Sequence, residues 1–242
     1  MQCKRNISSK SKRTLLSFFL CFFVMPLTLW LGTKFGDRQY YLVGLLLILY
    51  AMLPFFLLFE RKKPQARELV ILSVMCTIAI LSRIIFIWIP HFKPLTAIVM
   101  ITGIAFGAEA GFLTGAVSAF VSNFFFGQGP WTPWQMFAFG MAGFITGLVF
   151  RKGILPKNPL PLSIFGAVLV MILVGPILDT STLLTMTSVI RPESALAIYA
   201  SGIPINAIHA LATALTLFFV SAPLFEKLDR IKLKYGMMEG AA

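Results

Sequence analysis

Eight apolar runs separated by short basic segments dominate this sequence and leave few folds open to it. The runs span residues 14–32, 41–59, 68–89, 95–107, 110–126, 133–150, 160–178 and 195–222. A membrane-spanning helix needs ~20 apolar residues, so eight of them account for roughly two thirds of a 242-residue chain. Composition agrees: 58% of residues are hydrophobic and 12% charged, where a soluble domain carries about 25% charged residues. No soluble core hides that much apolar surface, which excludes a soluble enzyme, a disordered tail and a fibrous repeat. The predicted fold class is all-α, a polytopic membrane helix bundle in the cell membrane, bathed in membrane lipid.

The net charge of +12 points to topology rather than to nucleic acid, because the basic residues sit in blocks between apolar runs. Residues 95–126 fit either one long helix or two short ones. Two helices put 16 of the 21 basic residues on the side of the N-terminus and four (Lys34, Arg38, Lys93, Arg191) opposite, with Arg83 inside a span. One long helix destroys that bias. Lys/Arg excess marks the cytoplasmic side, so eight spans with both termini cytoplasmic are predicted, with a reversal near residues 108–109. The first run follows Lys4, Arg5, Lys10, Lys12 and Arg13 but lacks a small-x-small cleavage pattern, and is read as a retained helix. Gly202 and Pro204 interrupt the last run, which predicts residues 193–201 as a separate outer segment. Cys3, Cys21 and Cys76 form no CxxC motif, so neither a disulfide framework nor a zinc site is expected.

The most distinctive stretch is SNFFFGQGPWTPWQMF, Ser122 to Phe137. Its Gly127-x-Gly129-Pro130 turn favours a short, rigid outer loop. Trp131 and Trp134 follow, flanked by Asn123, Gln128 and Gln135. Tryptophan favours the membrane interface, whereas amides near lipid need partners. An aromatic surface with a few placed amides also describes a small-molecule site; belt and pocket both fit. Arg83 lies inside a span, where charge is a functional candidate by default, although snorkelling to the outer interface is also open to it. Asp179, Asn206 and His209 fall in the outer half, and His91 and Lys93 at the outer edge. Glycines 103, 107, 111 and 115, then 143 and 147, recur at four-residue spacing, which lets membrane helices approach closely. Paired carboxylates within a span, HExxH, GxSxG and a P-loop are all missing from the sequence. No catalysis, metal or cofactor is therefore expected, and any uphill transport must draw its energy from a partner.

The segments RKKPQARELVIL (Arg61–Leu72), FKPLTAIVMITGIAFGAEAGFLTGA (Phe92–Ala116) and VSNFFFGQGPWTPWQMFAFGMAGFITGL (Val121–Leu148) resemble the substrate-specific S component of energy-coupling factor transporters. The resemblance covers about residues 61–222, and GQGPWTPWQM is its most specific part. It implies a six-helix core with an outward-facing vitamin site, a transmembrane coupling protein and two cytoplasmic ATPase subunits as partners. Residues 1–60 would then be a basic N-terminus with two extra helices, 61–225 the substrate-binding core and 226–242 a cytoplasmic tail. The tryptophan loop resembles the cobalamin-type subgroup, although an aromatic platform with amides also suits a flavin or a pteridine. Expected substrate contacts are Arg83, Asn123, Gln128, Trp131, Trp134, Gln135, Asp179 and Asn206. In that family a small-xxx-small pair on the first core helix meets the coupling protein; Ser73 and Thr77 occupy its place here and share one helix face. A membrane-embedded lipid-modifying enzyme and a membrane scaffold are the competing readings. The lack of a catalytic constellation counts against the first, and the polar outer cluster against the second.

Overall fold

The computed structural model describes residues 40–61, 65–151, 156–187 and 189–235, together with Leu27 and Ile154. The predicted span 14–32, Cys3, Cys21, Lys34 and Arg38 lie outside the described residues, Leu27 apart. Within them the regular structure is entirely helical. Helix α1 is Tyr40–Arg61, α2 Ala66–Ile85, α3 Leu95–Phe106, α4 Ala108–Phe126 and α5 Thr132–Arg151. Helices α6 (Pro159–Leu169) and α7 (Gly175–Met186) are joined by a π turn, Val170–Val174, and α8 is Pro192–Tyr235. Among the described residues, four helical stretches are long and apolar enough to cross a membrane on their own: Ala66–Ile85, Thr132–Phe150, Pro159–Met186 and Pro192–Tyr235.

The apolar faces sort into two kinds. Helix α2 buries Leu72, Met75, Cys76, Ala79 and Arg83, a stripe with helical periodicity. Its opposite face exposes Val70, Val74, Ile78, Leu81 and Ile85, apolar side chains left for lipid or a partner helix to cover. Helix α3 is buried along nearly its whole length, from Leu95 to Ile104 and at Phe106. At ~1.5 Å per residue it is too short to cross the ~30 Å hydrocarbon layer. Wrapped by its neighbours, it has no need to.

The expected reversal between the fourth and fifth runs falls at Gly107, whose φ of +106° is open to glycine and strained for L side chains. The turn folds the glycine ladder back on itself. A Cβ on Gly111 would lie 2.7 Å from Gly103 Cα and 2.7 Å from the Gly143 carbonyl oxygen, and one on Gly147 would lie 2.7 Å from Ala108 Cα. Helices α3, α4 and α5 thus meet backbone to backbone, as small residues permit in membranes. Helix α1 leans on this core through Phe55, stacked on Phe112 at 4.2 Å and edge-on to Phe144 at 4.9 Å.

Two predicted boundaries shift. The seventh run continues past residue 178 to Met186 through the π turn. Proline clashes with the carbonyl four residues back, here Ile172, and the wider turn relieves that clash ahead of Pro176. The separate segment 193–201 is not observed: α8 runs unbroken across Pro204. Gly202 serves close packing instead, because a Cβ there would sit 2.5 Å from the Asp179 carboxylate. The same helix extends beyond residue 225 to Tyr235, whose carbonyl accepts a hydrogen bond from Arg67 Nη1 (3.2 Å), while Lys232 Nζ lies 5.1 Å from the Phe106 ring centre.

Candidate functional site

At the far end of α4 from Gly107, polar side chains converge from α2, α4 and α5. Arg83, on the last turn of α2, is 4% exposed. Its Nη1 donates to Ser122 Oγ (2.5 Å) and Asn123 Oδ1 (2.9 Å), and its guanidinium carbon lies 4.2 Å from the Phe126 ring centre. Asn123 Nδ2 donates onward to Thr132 Oγ1 (3.0 Å) and Gln135 Oε1 (2.9 Å). The Thr132 hydroxyl donates to Gln128 Oε1 (2.9 Å), and Gln128 Nε2 donates to the Phe120 carbonyl (2.9 Å). Donors therefore run one way, from a cation through three polar side chains to a backbone carbonyl. Within this low-dielectric setting such chains polarise one another. Neutral oxygens, with no carboxylate among them, receive the Arg83 charge. Its Nε has no hydrogen-bond partner.

Gly127 makes the turn possible with a φ of +96°. Trp131 closes the loop: its Nε1 donates to the Gly127 carbonyl (3.3 Å), and its ring covers Gly129 closely enough to meet a Cβ there at 2.5 Å. Trp134 faces elsewhere. Its ring reaches α1, where a Cβ on Gly44 would meet Trp134 at 3.1 Å and Leu184 at 2.8 Å. The two tryptophans do not form one platform.

Asp179 and Asn206 make a second polar pair, between α7 and α8, with Asn206 Nδ2 donating to Asp179 Oδ2 (2.8 Å). Gly175 and Gly202 give it room, since a Cβ on either would lie 2.5 Å from the pair. Nearby, Thr180 and Tyr199 share a hydroxyl–hydroxyl bond of 2.7 Å. Deeper in the bundle, Thr96 Oγ1 and His209 Nε2 are 2.8 Å apart. The structure thus joins Arg83, Asn123, Gln128 and Gln135 in one network, borders it with Trp131, and keeps Trp134 and the Asp179–Asn206 pair apart. Ser73 and Thr77 are exposed on the lipid-facing side of α2, each hydroxyl bonded to its own helix at 2.9 Å.

Sequence reasoning missed Ser122 and Thr132. A signal for Thr132 was present: Thr132-Pro133-Trp134-Gln135 has the S/T-x-x-Q pattern of a helix start, which places a hydroxyl at the loop's exit. Also unassigned were His91 and Lys93, which together with Arg83 line a cavity of about 260 Å³ beside the network. Burial pulls the Lys93 ammonium down to about 8, with the Arg83 charge adding to the effect. His91 is lowered likewise, by burial and then by Lys93. Among the described residues no group of three His, Cys, Asp or Glu side chains is placed to hold a metal.

A membrane bundle whose buried polar network opens on a cavity at one end has the features of a small-molecule binding protein. The family described as "ECF-type riboflavin transporter, S component" matches residues 63–228, more than half of the chain, and the chain belongs to that family. It is also 27% identical over 103 residues to the UPF0397 protein VS_II0189 of Vibrio atlanticus (strain LGP32), covering 42% of this chain and 56% of that protein. The chain thus spans little more than half the length of that relative. No solved structure shows significant similarity to it.

Proposed function

We propose that this chain captures a vitamin for an ATP-driven energy-coupling factor transporter, at the bundle end that carries loop 127–131. That end faces outward in this reading, and both termini are cytoplasmic. The observation that carries the proposal is the Arg83–Asn123–Thr132–Gln128 chain, buried from Arg83 to Thr132 and surfacing at Gln128, whose Arg83 end lines a cavity, in a member of an S-component family. Such polar investment inside a membrane bundle is costly unless it serves recognition. Arg83, Asn123, Gln128 and Gln135 are the proposed ligand groups, with Trp131 at the rim; Asp179 and Asn206 lie on the α7–α8 side.

For the ligand, the family description favours a flavin, and the cavity size argues against a much larger molecule. Small-molecule pockets usually measure ~300–1,000 Å³, and about 260 Å³ holds only a fraction of a corrin. Divergent tryptophans also weaken the case for a corrin platform. The partners are a transmembrane coupling protein and two ATPases, with the exposed Ser73–Thr77 face of α2 as the proposed docking stripe. Equilibrium titration of the purified full chain with riboflavin and with cobalamin tests the ligand. Saturable riboflavin binding is expected; tight cobalamin binding with none for riboflavin overturns it. Ser73→Trp with Thr77→Trp should abolish co-purification with the coupling protein, and retained co-purification moves the docking face elsewhere.

A further inference from the structure

We propose that the cavity beside Arg83 is an anion site that takes a phosphate or carboxylate group of the transported molecule. This rests on reading the tryptophan-loop end as the substrate site and adds the chemical class of the group recognised there.

Three basic side chains from two elements meet in one cavity: Arg83 from α2, and His91 and Lys93 from the α2–α3 loop. The rest of the wall is apolar, with Phe86, Phe92 and Phe126 among it, and no carboxylate lines it. Near the C-terminal end of α8, by contrast, Arg230 meets Glu226 and Lys232 meets Asp229. In the cavity the basic groups neighbour one another. A buried cation is costly without a counter-charge, yet Arg83 has only neutral oxygens on Nη1 and nothing on Nε. Burial first, and then the neighbouring positive charge, disfavours the charged forms of Lys93 and His91, and no carboxylate lines the cavity to offset either. An arriving anion would supply the missing charge, in charge-assisted hydrogen bonds about twice as strong as neutral ones.

The loop is also held in an uncommon shape. His91 has a φ of +61° and is the one non-glycine residue with positive φ among those described. Such conformations are strained and cluster at ligand sites. Tilted packing of Phe86 on Phe92, 5.0 Å between ring centres, pins both sides of the turn. The turn places His91, itself exposed, and Lys93 on the wall of the cavity that Arg83 also lines. Aromatic walls beneath a cationic rim suit a flat ring carrying an anionic tail.

Riboflavin and flavin mononucleotide differ by one phosphate and form the decisive pair. Titrated into the purified full chain in neutral detergent, the mononucleotide should bind on the order of tenfold tighter or more, and Lys93→Gln should collapse that ratio while Lys93→Arg restores it. Independently, inorganic phosphate or acetate should raise the thermal midpoint above that in chloride of equal ionic strength, and Lys93→Gln should remove the rise. A rise with phosphate and none with acetate assigns the site to phosphate esters, and the reverse to carboxylates. Anion stabilisation in a chain that binds neither flavin supports the site and overturns only the flavin reading. Equal affinity for the two flavins without anion stabilisation overturns the site and leaves the substrate reading standing. Equal affinity with anion stabilisation gives the cavity to another anion, such as a lipid headgroup, and overturns its link to the transported molecule.

Discussion

Helices α4 and α5 touch at both ends, and the two contacts are built from opposite chemistry. Toward Gly107, Gly103, Gly111, Gly143 and Gly147 bring three backbones together, with a Cβ on Gly143 only 2.6 Å from the Gly111 carbonyl oxygen. Toward loop 127–131, Asn123 on α4 reaches Thr132 and Gln135 on α5 through side-chain amides and hydroxyls. Close-packed backbone has no adjustable part and tolerates almost no added volume. Hydrogen-bonded side chains, by contrast, can exchange a protein partner for a ligand atom at little net cost. One pair of helices therefore carries a fixed hinge-free joint at one end and an adaptable recognition surface at the other.

The largest expected effect attacks the fixed joint. Gly143→Leu forces α5 away from α3 and α4, and should cost about 3 kcal/mol or more, as overpacking at a rigid site does. Its readout is the thermal midpoint and recovered yield of detergent-purified protein; wild-type stability would show that the joint yields. At the adaptable end, Asn123→Ala removes one acceptor of Arg83 and two donated bonds, and should cost about 1–3 kcal/mol while weakening ligand binding. A larger loss than for Gly143→Leu would reverse the comparison.

A smaller effect comes from pH. The Lys93 ammonium loses its proton near 8 instead of the ordinary 10.5, so the empty folded chain holds fewer protons than the unfolded one between those values. Its stability should rise with pH across that window. Anion affinity should move the other way, falling by up to about tenfold per unit above pH 8. Lys93→Gln should flatten both profiles, because His91, the other titratable group of the α2–α3 loop, is held below the ordinary histidine range. The smallest effect is expected for Trp131→Phe. That ring is 42% exposed and gives up one long hydrogen bond to Gly127, a change of about 0.5 kcal/mol in the thermal midpoint.

Much of the architecture was written in local pattern. Apolar runs and the distribution of lysine and arginine located five of the seven described spans closely and put the reversal within 95–126 next to Gly107, at residues 108–109, because the membrane's demand for apolar length acts on each segment by itself. Arg83, Asn123 and Gln135 stood out singly, as polar groups that a membrane segment must partner. What no local pattern carried was their convergence. Arg83 meets Asn123 across 40 positions, His91 and Lys93 come beside Arg83 only because the α2–α3 loop turns at a residue with positive φ, and Trp134 parts from Trp131 because α1 packs beside it. Gly202 read as a break and acts as a space for Asp179. Each of these depends on which helix lies next to which, and that choice was made by the backbone contact of Gly103, Gly111 and Gly143, a contact that exists only once the chain has folded back on itself at Gly107.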